Sequence, residues 1–450
     1  MLVRWKRMAV LTAAAAALSV VVASGFANAM PTRGVVASAT TLKVYGFGPG
    51  DEIANTRADV ATAAVGGSVD NPRGGFNDQQ FLASVASGDV PDVVYLDRYK
   101  IAEYAAKGAF QPLTSCVKSQ NVDLTQYRKA ALNEVTYKGK LYALPEFSNQ
   151  RTVIVDNNVV AAAGLKVSDL DTKNWGKLAN ANRKMLQKSG GQVTRIGFDP
   201  KLPEFFPLWV KANGADILSK DGLHAQLNTP KAVAALNFAY SLIQAHGGWG
   251  PFKAFRDTWD FFGAGNQVAK DQVGAWPMEN FYYNTLAQVS PNVSITAMAF
   301  HNRKGGPITY FSGQGWAIPK GAKNPDLACT WMKTITDSPT WVKAAKVRLD
   351  AQKAKGRPFT GVYTANSKAD VKIFQDIYQP MGKKQFDDAV TLLVNVGKYA
   401  FTIPASPAGA EFQQAWMDGV NRVLAGSQTP KQALDQAQKE AQAAIDKAAK

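Results

Sequence analysis

The chain has 450 residues, 46% hydrophobic, 19% charged and 10% aromatic, which is enough for two or three domains and too apolar for a disordered protein. Its formal net charge is +16; without the first 29 residues, where Arg4, Lys6 and Arg7 stand with no acid, +13 remains. The basic residues are scattered among helical segments, with no Lys/Arg block and no aromatic-interleaved basic stripe, so no nucleic-acid partner is expected.

The N-terminus reads as an export signal. Arg4 to Arg7 precede an apolar run from Met8 to about Phe26, and Ala27-Asn28-Ala29 supplies small residues at the −3 and −1 positions of a cleavage site. Residues 1–29 are therefore expected to be a signal peptide, with a retained N-terminal anchor as the alternative. With no Cys near the cut, a thioether-linked lipid anchor is not expected. This places the mature chain in a periplasm or on the outer face of a membrane. Cys116 and Cys329 both fall in the exported part, where either a disulfide or two separate buried thiols is compatible with the sequence. The histidines, His224, His246 and His301, are dispersed, and no metal or cofactor is expected.

Thr41 to Tyr45 reads as a strand broken by Gly46-Phe47-Gly48-Pro49-Gly50, and Asp51 opens an Ala-rich helix. The glycine spacing does not suit a dinucleotide loop, and Pro49 removes a backbone donor from it. A weak strand near Gly67 to Val69, a helix from about Asn77 to Ala86, a buried-type strand from Pro91 to Asp97, and a helix ending at Gly108 follow. This β-α-β-α-β-α order at short spacing predicts an α/β lobe with a mostly parallel sheet. Ligands of such sheets sit beyond the carboxyl ends of the strands, which puts Tyr45, Gly46, Asp97 and Arg98 on a cleft rim; Asp97 as a helix N-cap is the plainer reading.

The stretch Lys138 to Leu165 carries two strand-like runs, Leu141 to Leu144 and Thr152 to Val155. They are joined by a polar segment holding Glu146, Ser148, Asn149 and Arg151, which suits either a crossing between lobes or an ordinary loop. Beyond it, Trp175 to Lys188 reads as helical, Arg195 to Phe198 as a strand, and Glu204 to Ala212 as helical after Pro207. Thr229-Pro230 caps a helix running to about His246. Gln272 to Tyr283 reads as strand, turn and aromatic cluster, with Tyr282 and Tyr283 one in and one out on a strand. Val293 to Ala299 is a strand, and Ser312 to Pro319 a glycine-lined loop running into another. Helices dominate from Asn324 to the end, the last opened by a capping box at Thr429-Pro430-Lys431-Gln432.

In this order the segments GDVPDVVYLD, GAFQPLT, GKLYALPEFSN, AAAGL, NTPKAVAALNFAYSLI, QVGAWPMENFYY, GQGWAIPKGAKNPDLACTWMKTI, GRPFT and VLAGSQTPKQALDQA resemble the extracellular solute-binding proteins of ABC importers, in the group that includes maltose-type sugar binders. The resemblance extends over nearly all of the chain after Thr41. It implies an α/β, two-lobed periplasmic-binding-protein fold, with mostly parallel sheets flanked by helices and a hinge of about three crossings. Residues 41–149 plus 296–338 would form one lobe and 150–295 plus 339–450 the other, with crossings near Gln150, Ser294 and Ser338. Cys116 and Cys329 then share a lobe, which favours a bridge. Carried over by position, the resemblance places Tyr45, Gly46, Asp97, Glu146, Ser148, Trp209, Asn280, Phe281, Gly313 and Gln314 at the cleft. Beside Arg98 on the rim, chemistry adds Asn149 and Trp276, since amides and carboxylates bind hydroxyls and aromatic rings cover the C–H face of a sugar. Two departures stand out: Val155-Asp156 where relatives carry Tyr-Asn, and Gly274-Ala275 where they carry Ala-Met.

The function implied is capture of a small polar solute, a mono- or oligosaccharide, by a monomer that closes about its hinge and delivers the solute to a membrane permease. An exported carbohydrate-active enzyme is the first rival, but no G-x-S-x-G, H-E-x-x-H or compact His/Asp/Ser set is present. A ferric-ion binder using Tyr282 and Tyr283, or a binder of other organic solutes, is the second.

Overall fold

The computed structural model describes residues 40–450 apart from Arg73; the expected signal peptide lies outside the described residues. In chain order, β1 (Thr41–Tyr45), β2 (Ser68–Asp70), β3 (Val93–Asp97) and β4 (Ala143–Pro145) are followed by β5 (Arg151–Asp156), β6 (Gln187–Ser189) and β7 (Gln192–Phe198). β8 (Val273–Glu279), β9 (Ile295–Met298) and β10 (Gln314–Ala317) complete two five-stranded sheets. The first has the order β2-β1-β3-β10-β4 and the second β9-β5-β8-β7-β6.

The two sheets are mixed, not mostly parallel as expected. β2, β1 and β3 run parallel, but β10 is antiparallel to both of its neighbours. In the second sheet only β8 and β7 are parallel. The parallel reading came from the β-α-β spacing of the first hundred residues; β10 enters from far downstream, and no local spacing reveals its direction.

Alternation along β3 shows how the first sheet is buried on both faces. Val93 packs with Leu42, Val44, Leu144 and Trp316, while Val94 and Leu96 pack with Phe81, Ile101, Tyr104 and Phe110 on the other side. Cys116 and Cys329 are bridged within the first of these clusters. The second sheet carries its own larger core, centred on Val153 to Val155, Ile196, Phe198, Val273, Ala275 and Trp276.

Several boundaries differ from the sequence reading. β9 pairs with β5 as far as Met298, so the crossing placed near Ser294 lies further on, and residues 296–298 belong to the second sheet. The helices Pro325–Thr336 and Ser338–Ala354 both pack on the helix Glu52–Val65, so the chain does not leave the first lobe near Ser338. Trp341, Ala344 and Ala345 bury Ile53 there. Tyr363 and Phe374 then join the second core, and the helix Lys384–Val396 packs against β9. Phe281–Val289 is a helix, so Tyr282 and Tyr283 are both buried, not alternating as on a strand. The helix from Trp175 ends at Met185, and Lys188 falls in β6. Thr229 and Thr429 cap their helices as expected, Thr429 in a full capping box with Gln432, and Asn77 caps the helix expected to begin near it.

A candidate ligand cleft between two sheets

Two cross-strand pairs face each other where the sheets meet. At the carboxyl end of β3, Asp97 stands opposite Gln314, the first residue of β10, and accepts a hydrogen bond from its side-chain amide at 2.8 Å. At the start of β5, Arg151 stands opposite Glu279, the last residue of β8, and donates to it at 2.7 Å. Both pairs line a cavity of about 500 Å³.

Arg151 is largely spoken for by its surroundings. Its guanidinium also donates to the carbonyls of Asn149 and Tyr310, at 2.9 Å each, and lies 4.6 Å from the Tyr310 ring and 5.3 Å from that of Phe205. This fixes the Glu279 carboxylate at the cavity wall, with lone pairs left for a guest. The Tyr310 phenol is pushed up to about 12, chiefly by burial, so at neutral pH it keeps its proton and can donate. Burial likewise holds the Tyr99 phenol far above its ordinary value.

Two further elements close the cavity. Lys201 sits at φ +54°, where its backbone N–H donates to the Asp199 carboxylate at 2.7 Å. This turn presents Lys201, Glu204 and Phe205 to the cleft. On the other side, Gln413, Trp416 and Met417 come from one face of the helix Gly409–Leu424, at i, i+3 and i+4 spacing. That helix is tied to the first lobe at its start: Ala410 N–H donates to Glu103 at 2.7 Å, and a side chain at Gly409 would collide with the Tyr99 carbonyl. The lining thus alternates hydrogen-bonding groups with the rings of Tyr99, Phe205, Phe261 and Trp416.

A family model described as bacterial extracellular solute-binding protein matches residues 69–340. The chain belongs to this family. It is a family of binding proteins, described as extracellular, and among the described residues no helix is long and apolar enough to cross a membrane. A lactose-binding protein of Rhizobium radiobacter is 21% identical over 146 residues; the match spans 32% of this chain and only 33% of that relative. Solved structures show the same two-domain fold. CpMnBP1 with mannobiose bound superposes with a TM-score of 0.69 at 21% identity, over 89% of this chain and 99% of its own. A solute-binding protein from Thermotoga lettingae, bound with alpha-D-tagatose, gives 0.69 at 20% identity, over 90% and 99%. The cyclic alpha-maltosyl-1,6-maltose binding protein of Arthrobacter globiformis gives 0.63 at 18%, over 91% and 100%.

Of the residues singled out in the sequence, Asp97, Asn149, Phe281, Gly313 and Gln314 line the cavity. Asn280 lines an adjoining smaller one; its amide oxygen accepts from Gln150 N–H at 2.7 Å. The others lie elsewhere. Trp209 and Trp276 are wholly buried in the second core, with the Trp209 indole donating to the Pro200 carbonyl, so neither offers an open ring face. Glu146 is buried in an ion pair with Arg57 at 2.7 Å and also accepts from the Trp316 indole; Ser148 is buried beside it in sequence. Arg98 is buried against Glu134 at 2.8 Å and donates to the Phe147 carbonyl, bracing the strand ends from beneath. Tyr45 faces a different depression and bonds Gln80, and Gly46 (φ +86°) serves the turn, where a side chain would strike the Tyr95 carbonyl. Tyr282 and Tyr283 do not line the cleft: the Tyr282 hydroxyl donates to the Phe261 carbonyl and the Tyr283 hydroxyl bonds Thr152.

Proposed function

We propose that this chain is the exported capture component of an ABC importer and that its solute is a neutral mono- or oligosaccharide. The observation that carries the reading is the cleft itself: Asp97–Gln314 and Glu279–Arg151, each fixed by its partner, offer acceptors and donors from opposite sheets, with aromatic faces between them. A sugar presents hydroxyls around its rim and C–H bonds on its faces, and this pattern meets both. The sugars in the names of the relatives support the same class.

Half of the hydrogen-bonding set belongs to each sheet, so a guest touching both is held best when the lobes close on it. A complete switch from open to closed requires about 5.5 kcal/mol of differential affinity. In this reading the first lobe comprises β1 to β4, β10 and the helices from Pro325 to Ala354, and the second comprises β5 to β9 with Lys384–Val396. Residues 1–29 are removed on export, Gly313 and Gln314 act from the first lobe, and the closed monomer docks on a membrane permease.

The test is thermal shift against a saccharide panel, with amino acids, polyamines and glycerophosphodiesters as controls. A sugar at about 100 times its dissociation constant adds roughly 2.7 kcal/mol of stability. Stabilisation by a control class, with none from any sugar, would overturn the reading.

A further inference from the structure

Beside the main cleft lies a second chamber of about 250 Å³, and the two share Asn149 and Phe281 as a common wall. Its floor comes from the start of the helix Glu52–Val65, at Asp51 and Ile53, and from Arg348; its far side is the loop from Thr360 to Tyr363. Its charged groups are tied into one cluster, because Arg348 donates to Asp51 at 2.6 Å and also pairs with Glu52, one cation between two carboxylates. What remains is neutral. The Tyr363 hydroxyl is buried without a partner, and Thr360 is buried beside it. Asn280 spends its oxygen on the Gln150 N–H, and Asn284 is half-buried on the next turn of the helix. Ile53, Phe147, Phe281 and Val362 supply apolar walls. Gly361 (φ +84°) lets the loop turn here, since a side chain would run into the Phe374 ring.

Phe281 is 39% exposed at the junction, an open ring between two polar compartments. The geometry points to a ligand of at least two sugar rings, one in the main cleft and the next passing Phe281 into this chamber. This rests on the sugar reading above and adds the ligand's length and direction. The second ring meets the buried Tyr363 hydroxyl and the amides of Asn280 and Asn284, neutral groups whose hydrogen bonds suit sugar hydroxyls.

The test uses calorimetry or thermal shift on the full mature chain with mannose, mannobiose and mannotriose, and glucose, maltose and maltotriose, as probes. The disaccharide of the recognised series is expected to bind about tenfold or more tighter than its monosaccharide. Asn284→Phe, on the half-exposed helix face, fills the chamber and lowers that ratio toward one; Thr360→Val, isosteric, lowers it without filling space. Equal affinity for mono- and disaccharide, or a ratio unmoved by both substitutions, overturns the chamber while leaving the sugar reading intact. A wild type that responds to none of the six probes but does respond to another monosaccharide of the panel, and to no di- or oligosaccharide, overturns it too. A wild type that responds to no sugar at all removes both.

Discussion

Glu146 was placed at the ligand by resemblance, and the structure gives it a different task that a single substitution separates. Its carboxylate and the Arg57 guanidinium are both fully buried, 2.7 Å apart, and the guanidinium lies 3.9 Å from the centre of the Trp341 ring. Tyr95 and the Trp316 indole also donate to Glu146. Glu146→Gln keeps the volume and the indole contact but leaves the Arg57 charge uncompensated inside the first lobe. Breaking such a pair from one side costs about 3–5 kcal/mol. With an unfolding entropy of about 0.8 kcal/mol/K for roughly 400 residues, that lowers Tm by about 4–6 °C. Removing both charges, as Arg57→Met with Glu146→Leu, is expected to recover most of the loss, because two desolvation costs vanish together. The assay is calorimetric melting of the three proteins without ligand, followed by sugar titration of each. A Glu146→Gln protein that melts like wild type but binds its sugar far more weakly would refute the structural role.

Burial pushes the Asp156 carboxyl up to about 7, with Asp271 nearby raising it further, while two helix N–H groups pull it down. The folded chain therefore holds this proton between about pH 4 and 7 while the unfolded chain has released it, so stability falls as pH rises through that window. Asp156→Asn, which keeps an acceptor for the N–H groups of Asn158 and Val159, is expected to be about 4 kcal/mol more stable than wild type at pH 8 and equal to it near pH 4, checked by melting across that range. Replacing Cys116 and Cys329 by Ala opens a closure spanning 213 positions and is expected to cost about 2–4 kcal/mol, read by urea denaturation against the oxidised wild type. At Gly313 a methyl group would stand 2.3 Å from the Phe147 carbonyl and 2.4 Å from the Arg98 guanidinium; Gly313→Ala should cost about 1–3 kcal/mol and weaken sugar binding through the displaced Gln314, which melting and titration together would show.

Legibility in the sequence followed locality. Helix starts at Asn77, Thr229 and Thr429 announced themselves because a cap is decided by neighbours within one turn. Asp97 and Gln314 were recoverable because each ends or begins a strand beside turn-forming residues. The Arg151–Glu279 pair was not, since it exists only through the register of β5 against β8, 128 positions apart. Trp209 and Trp276 misled because composition gives an aromatic residue no address, and burial is the commoner fate. Gln413, Trp416 and Met417 do share a helix face, but nothing local says which lobe that face meets.

β10 occupies the place between β3 and β4, yet it is contributed by residues 314–317. During synthesis, β4 has no neighbour in its own sheet until more than two thirds of the polypeptide has emerged, and the Cys116 thiol must wait longer still for Cys329. A nascent molecule in that condition cannot complete its first sheet, so the end of that sheet and the bridge that locks it are among the last parts to form.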